Sequence, residues 1–154
     1  MNQGNEALSH DDSAVLKHMD MYQGIITRMA GNSAACKKWC IPFVTAILAY
    51  MVTKPELRVL NVQILVIAPI FIFYILDAYY LKLENQFRNG FNESAKRIRQ
   101  QEFTTAHLFK LLPVGSERDF WLKAVTSLST WPVYLGMLAL AALAYLLLGD
   151  TVIS

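Results

Sequence analysis

Residues 59–76 read VLNVQILVIAPIFIFYIL, eighteen positions without a charge, closed by Asp77 and then extended by Ala78, Tyr79, Tyr80 and Leu81. A helix rises about 1.5 Å per residue, so eighteen residues nearly match the ~30 Å hydrocarbon core of a bilayer. The stretch therefore predicts a membrane span over 59–81. Two other windows share its character. Residues 124–149 lack charge throughout, with VYLGMLALAALAYLLLG as their apolar heart, and predict a span over 130–149. Residues 39–53 (WCIPFVTAILAYMVT) are shorter, and reach spanning length only with upstream residues, Lys37 and Lys38 extending to the headgroups. That places a span over 36–53. A single such window also suits a soluble core helix. Three do not, because a chain of 154 residues that is 55% hydrophobic and 17% charged has too little polar surface to cover them. The expected fold is all-α, an integral membrane protein with three transmembrane helices and cytoplasmic helical extensions.

The same composition excludes other classes. Disorder requires fewer apolar residues, seven Gly and five Pro do not make collagen, and two Cys do not make a disulfide framework. A net charge of +2 is too small to indicate a nucleic-acid partner. Residues 1–13 (MNQGNEALSHDDS) are polar and lack a signal-peptide pattern, so a flexible N-terminal tail is expected.

Orientation follows from the basic residues. Four Lys/Arg precede the first window and eight lie between the second and third: Lys82, Arg88, Lys96, Arg97, Arg99, Lys110, Arg118 and Lys123. Only Lys54 and Arg58 lie between the first two windows, and none follows the third. Three spans sort these twelve against two. The N-terminus and residues 82–123 are then cytoplasmic, and the tail 150–154 is extracytoplasmic.

Outside the spans, Asp12 or Ser13 is an N-cap for a helix from Ala14. Val15, Met19, Tyr22, Ile26 and Met29 form its apolar face, giving a cytoplasmic amphipathic helix over 14–35 with Gly31-Asn32-Ser33 as a bend or break. That face packs on its own chain, lies on the membrane, or meets a neighbouring subunit. After the second span, Tyr80, Leu83, Phe87, Phe91, Ser94 or Ala95, and Ile98 continue the helical spacing as a stalk. Its seam needs a partner, either the 14–30 helix or the same stalk of another copy. Pro113-Val114-Gly115 reads as a turn, and Ser116-x-x-Asp119 as a capping signal for another helix. Pro132 then kinks or restarts the chain at the third span.

Chemistry is sparse. No nucleophile elbow, Ser-x-x-Lys motif or Gly-rich phosphate loop occurs, so no catalytic residue and no enzymatic activity are assigned. Cys36 and Cys40 lack companion ligands, and His10, His18 and His107 have no ligand spacing. Neither a metal nor a cofactor is expected, and the thiols read as buried and ordinary. Arg99 and His107, eight residues apart, are the nearest Arg–His pair. Asp77 lines a pore or relays a proton, or else pairs with Lys37, Lys38 or Lys82 near the inner interface. Asn61 and Gln63 pose the same choice at the other end of that helix. Lys96, Arg97 and Arg99 form a basic cluster for anionic lipid, a cytoplasmic protein or a nucleotide trigger, with direct nucleic-acid binding not expected. Gly136, Ala139 and Ala142 form a small-residue track suited to helix contact.

Two segments carry a resemblance. One is Gln23-Gly24-Ile25-Ile26-x-Arg28-Met29-Ala30-x-Asn32-Ser33 followed by Lys38-Trp39; the other is Leu76-Asp77-Ala78-Tyr79-Tyr80-Leu81 followed by Glu84 and Phe87-Arg88. Together they resemble a widespread family of small bacterial inner-membrane proteins. The layout is also similar to that of small membrane effectors of anti-phage systems, including the membrane accessory protein of Cas13b-type CRISPR systems. That resemblance implies an oligomer that permeabilises or depolarises the inner membrane when an intracellular sensor fires. The expected function is a homo-oligomeric pore or membrane-perturbing effector in antiviral defence, gated by its cytoplasmic helices. Asn61, Gln63 and Asp77 are its pore-lining or gating candidates. The alternative is a non-conducting scaffold or accessory subunit that recruits a cytoplasmic partner.

Overall fold

The computed structural model describes residues 12–54 and 60–149. The tail 1–11, the turn 55–59 and the tail 150–154 lie outside the described residues. Four helices follow in order: α1, Ser13–Thr53; α2, Leu60–Arg99; α3, Glu117–Val125; and α4, Trp131–Gly149. Among the described residues there is no strand, so the fold class is all-α.

Helices α1 and α2 are 41 and 40 residues long, about 60 Å each, or twice the thickness of a hydrocarbon core. Both carry an apolar stretch long enough to cross a membrane. The chain does not break at Gly31-Asn32-Ser33, and α1 continues through it as one helix. The reason is its inward stripe: Val15, His18, Tyr22, Ile26, Ser33, Cys36, Cys40, Val44 and Met51 are buried, at helical spacing across both halves. A weak local break signal loses to continuous packing. The Asp12 carboxylate caps the helix by accepting from Ala14 N at 2.8 Å, as its sequence position indicates.

Helix α2 lies antiparallel to α1, with Tyr22 beside Phe87 and Phe91 at one end and Ser33 against Asp77 further along. The stalk's partner is therefore the chain's own α1. Its most deeply buried line is Ala78, Lys82, Gln86 and Gly90, one face round from the expected Tyr80-Leu83-Phe87-Phe91 seam, whose members are only half-buried. Residues 100–116 explain the shift. They fold back over the groove between α1 and α2 as a strap, with Val114 N donating to Gln86 O at 3.2 Å, Asn89 Nδ2 to Val114 O at 3.2 Å, and Phe109 N to His18 Nδ1 at 3.0 Å. The expected helical segment 82–123 is thus helical to Arg99 and again from Glu117. Between these lies an extended strap with a single 3₁₀ turn, Thr105–His107.

Ser116 caps α3 as expected, its Oγ accepting from Asp119 N at 3.4 Å. Pro132 stands in the first turn of α4, where its missing N–H costs nothing, so it restarts the chain instead of kinking it. Helix α4 packs on the lower halves of α1 and α2 around Cys40, Val44, Met51, Val66, Ile70, Tyr134, Met137 and Ala141. The outward faces of the same region are apolar as well, including Phe43, Ile64, Leu65, Phe71, Ile72, Leu135, Leu140 and Leu146. The molecule has an apolar half of three helices and an arm built from the upper α1, the upper α2 and the strap.

Candidate functional site

Where the apolar half meets the arm, Asp77 is fully buried between α1 and α2. Ser33 Oγ donates to its Oδ1, and Lys37 Nζ lies 2.6 Å from its Oδ2, off the line of a hydrogen bond, so that oxygen is held by charge. Ser33 and Lys37 are one turn apart, which puts both on the same α1 face. Tyr134 of α4 brings its buried hydroxyl near enough to interact with the carboxylate, without an aligned hydrogen bond. Three helices thus converge on one carboxylate. A lone buried anion is too costly to persist, and here Lys37 neutralises it from a side chain only 20% exposed. Of the partners open to Asp77 in the sequence, the structure selects Lys37. Lys38 is exposed, and Lys82 turns to Glu117.

Gln63 is likewise buried, inside the α1–α2–α4 packing. Asn61 belongs to α2, but its side chain lies outside the described ones. Asp77 and Gln63, the pore-lining or gating candidates, are thus both buried within the single chain. Cys36 and Cys40 are free and buried, and Cys40 Sγ lies 3.8 Å from Met137 Sδ, in ordinary packing. An apolar groove of about 280 Å³ between α2 and α4, lined by Ile67, Phe71, Tyr74, Trp131 and Leu138 among others, lacks the converging polar groups that fix a substrate.

On the arm, Lys82 is buried and pairs with Glu117 Oε2 at 2.7 Å, with the rings of Tyr79 and Trp121 5.3 and 6.0 Å from its ammonium. The hydrogen bond from Lys82, and then its charge, hold the Glu117 carboxyl below the usual carboxylate range. Further out, His18 is buried against Tyr22 and Phe103, and its Nδ1 accepts from Phe109 N at 3.0 Å. Burial, then the nearby His107, push the His18 imidazole below its ordinary value of 6.5. Nδ1 accepts, so the proton of the neutral ring sits on Nε2, which is buried without a partner.

At the tip, Lys96, Arg97 and Arg99 are exposed in the last turn of α2. The chain reverses there through Gln101 at φ 58°, with Glu102 N donating to Arg97 O at 2.9 Å and Gln101 N to Ile98 O at 3.1 Å. This is a Schellman turn with Gln where Gly is usual. The reversal brings His107 Nε2 to 2.9 Å from Arg97 Nη1. The Arg–His pair is therefore Arg97 with His107, ten residues apart, and not Arg99. Sequence spacing missed it because nothing marks Gln101 as a turn. Compared with known protein families, curated proteins and solved structures, the chain matches none of them.

Proposed function

We propose that this chain is a three-span protein of the bacterial inner membrane that acts as a homo-oligomeric, membrane-perturbing effector, described here at rest. The carrying observation is that α1 and α2 run unbroken from the arm through the apolar half, for 41 and 40 residues. Two continuous helices packed along a common seam, each with one internal proline (Pro42 and Pro69), link the arm tip to the apolar half. The buried Ser33–Lys37–Asp77–Tyr134 cluster lies at the crossing and is the polar material that a rearranged bundle has available for water. With α4 as the third span, the basic arm lies on the cytoplasmic side. The role in anti-phage defence rests on the resemblance of the chain's layout to small membrane effectors; the segments around Gln23–Trp39 and Leu76–Arg88 resemble a family of small bacterial inner-membrane proteins.

A second reading has its own observation. The outward faces of the apolar half carry Ile, Leu, Phe and Val, whereas Asp77 and Gln63 turn inward. That is the surface of a lipid-facing anchor, and it favours a non-conducting accessory subunit whose arm recruits a cytoplasmic partner. Dye release from liposomes and native mass spectrometry in detergent separate the two. The effector assembles into several copies and releases dye when the arm is perturbed or its trigger is supplied. A chain that stays monomeric and never leaks is the accessory subunit.

A further inference from the structure

Arg97, His107 and Thr104 form a preorganised constellation that the membrane-effector reading leaves unused. Among the described residues Arg97 has no ion pair; Glu93, one turn earlier, and Glu102 do not meet it. Its polar side-chain contact is the imidazole of His107 at 2.9 Å. The backbone N–H of Thr104, which has no freedom to turn away, donates to Nδ1 at 3.1 Å, with Thr104 Oγ1 3.0 Å from the same nitrogen. Nδ1 therefore accepts, the proton of the neutral ring sits on Nε2, and two donors, Nε2–H and the Arg97 fork, face each other. The ring is thus oriented from behind by Thr104 while its front edge and the Arg97 fork face solvent together.

We infer that Arg97 and His107 grip the phosphate of a soluble nucleotide, with the ring of Phe109 stacking on its base. A phosphate oxygen between the two side chains accepts from both the Arg97 fork and His107 Nε2–H, and so supplies the acceptor that two facing donors lack. The planar fork matches two phosphate oxygens and leaves a third for histidine. Lys96, exposed in the same turn, adds charge nearby. Phe109 sits two residues beyond His107, 54% exposed, on a backbone at φ 61° that is held by the bond to His18. An exposed aromatic ring two residues along the chain from a phosphate grip suits a base, since every base offers a stacking face.

The inference rests on the membrane reading in one respect. Arg97 lies twenty residues along a continuous helix from Asp77, about 30 Å from the bilayer edge, well beyond the ~8 Å screening length. Headgroups of the chain's own membrane do not reach it. On that reading the Arg97–His107 pair suits a soluble ligand better than anionic lipid.

Calorimetric titration of the full chain in nanodiscs of zwitterionic lipid tests this, with inorganic phosphate and adenosine 5′-monophosphate as probes. Both bind, the nucleotide more tightly. Arg97→Gln and His107→Gln each weaken both probes about tenfold or more, equivalent to about 1.4 kcal/mol. Phe109→Ala weakens the nucleotide and leaves inorganic phosphate unchanged. Arg88→Gln, which removes an exposed arginine paired with Glu84, changes neither. Unchanged melting of each variant keeps the comparison to the site. No binding of either probe at millimolar concentration overturns the inference, as does equal weakening by Arg88→Gln. So does binding of a single-stranded RNA oligomer that the mononucleotide does not displace, or capture of anionic vesicles that depends on Arg97. Failure of oligomerisation or dye release leaves these titrations unaffected, so the two proposals fall separately.

Discussion

Lys37 Nζ and Asp77 Oδ2 lie 2.6 Å apart across the α1–α2 seam, and they differ in their access to solvent: the lysine side chain is 20% exposed and the aspartate 0%. The asymmetry orders the cost of breaking the pair. Lys37→Ala strands a buried carboxylate on Ser33 alone, at about 3–5 kcal/mol. Asp77→Asn leaves an ammonium that swings toward solvent along its flexible stem, and costs about 1–2 kcal/mol. The paired change Lys37→Met with Asp77→Leu falls close to the parent. Thermal unfolding in detergent ranks them, and an Asp77→Asn variant less stable than Lys37→Ala contradicts this account of the cluster.

The glycines separate continuous from broken helix in α1. A Cβ at Gly24 or Gly31 meets nothing within 4 Å, so alanine there raises stability by up to about 1 kcal/mol through helix propensity. A Cβ at Gly90 meets Leu112 O at 2.8 Å and the Tyr22 hydroxyl oxygen at 3.0 Å. Gly90→Ala therefore forces the strap off α2, at about 1–3 kcal/mol. Melting temperatures of the three variants give the signs. A neutral or destabilising Gly31→Ala means that the helix bends there in solution.

These positions also show what the sequence made legible. Charge-free windows located all three apolar helices, and Asp12 and Ser116 marked their helix starts, because burial and capping act locally. The continuity of α1 was missed at Gly31-Asn32-Ser33, although Cys36, Cys40 and Val44 carry the stripe onward at the same spacing. The strap was missed for a different reason. Its contacts on α2 fall on Gln86, Asn89 and Gly90, and those of α3 on Lys82; these are polar or small residues without an apolar stripe, and only tertiary structure reveals that a lysine is covered by Trp121 and Glu117. Arg97 and His107 meet through a left-handed Gln101, a conformation that composition does not announce.

Lys82 is the test of how α3 is fastened. Its buried stem, two aromatic faces and one carboxylate act at a single side chain, so Lys82→Ala loosens α3 and red-shifts Trp121 emission. Glu117 is largely exposed, and its contribution is screened by water. Glu117→Gln accordingly leaves the melting temperature and the emission maximum nearly unchanged. A large effect of Glu117→Gln assigns the fastening to charge instead of packing.

Acid acts on the arm through His18. Its folded-state imidazole is pushed below 6.5 by burial, so the unfolded chain binds the proton more readily. Stability from this group is complete above about pH 6.5 and is lost as the pH falls toward and through the lowered folded value. Protonating Nδ1 removes the acceptor for Phe109 N, and that bond fastens the strap to α1. Hydrogen exchange at residues 103–112 therefore accelerates between pH 7.5 and 5.5, corrected for intrinsic rates, while the amides of the apolar half around Val44 and Ile70 hold their protection. His18→Gln keeps a side-chain acceptor without a titrating ring, and its strap loosens far less over the same interval. Equal acid loosening in the variant places the titration on another group.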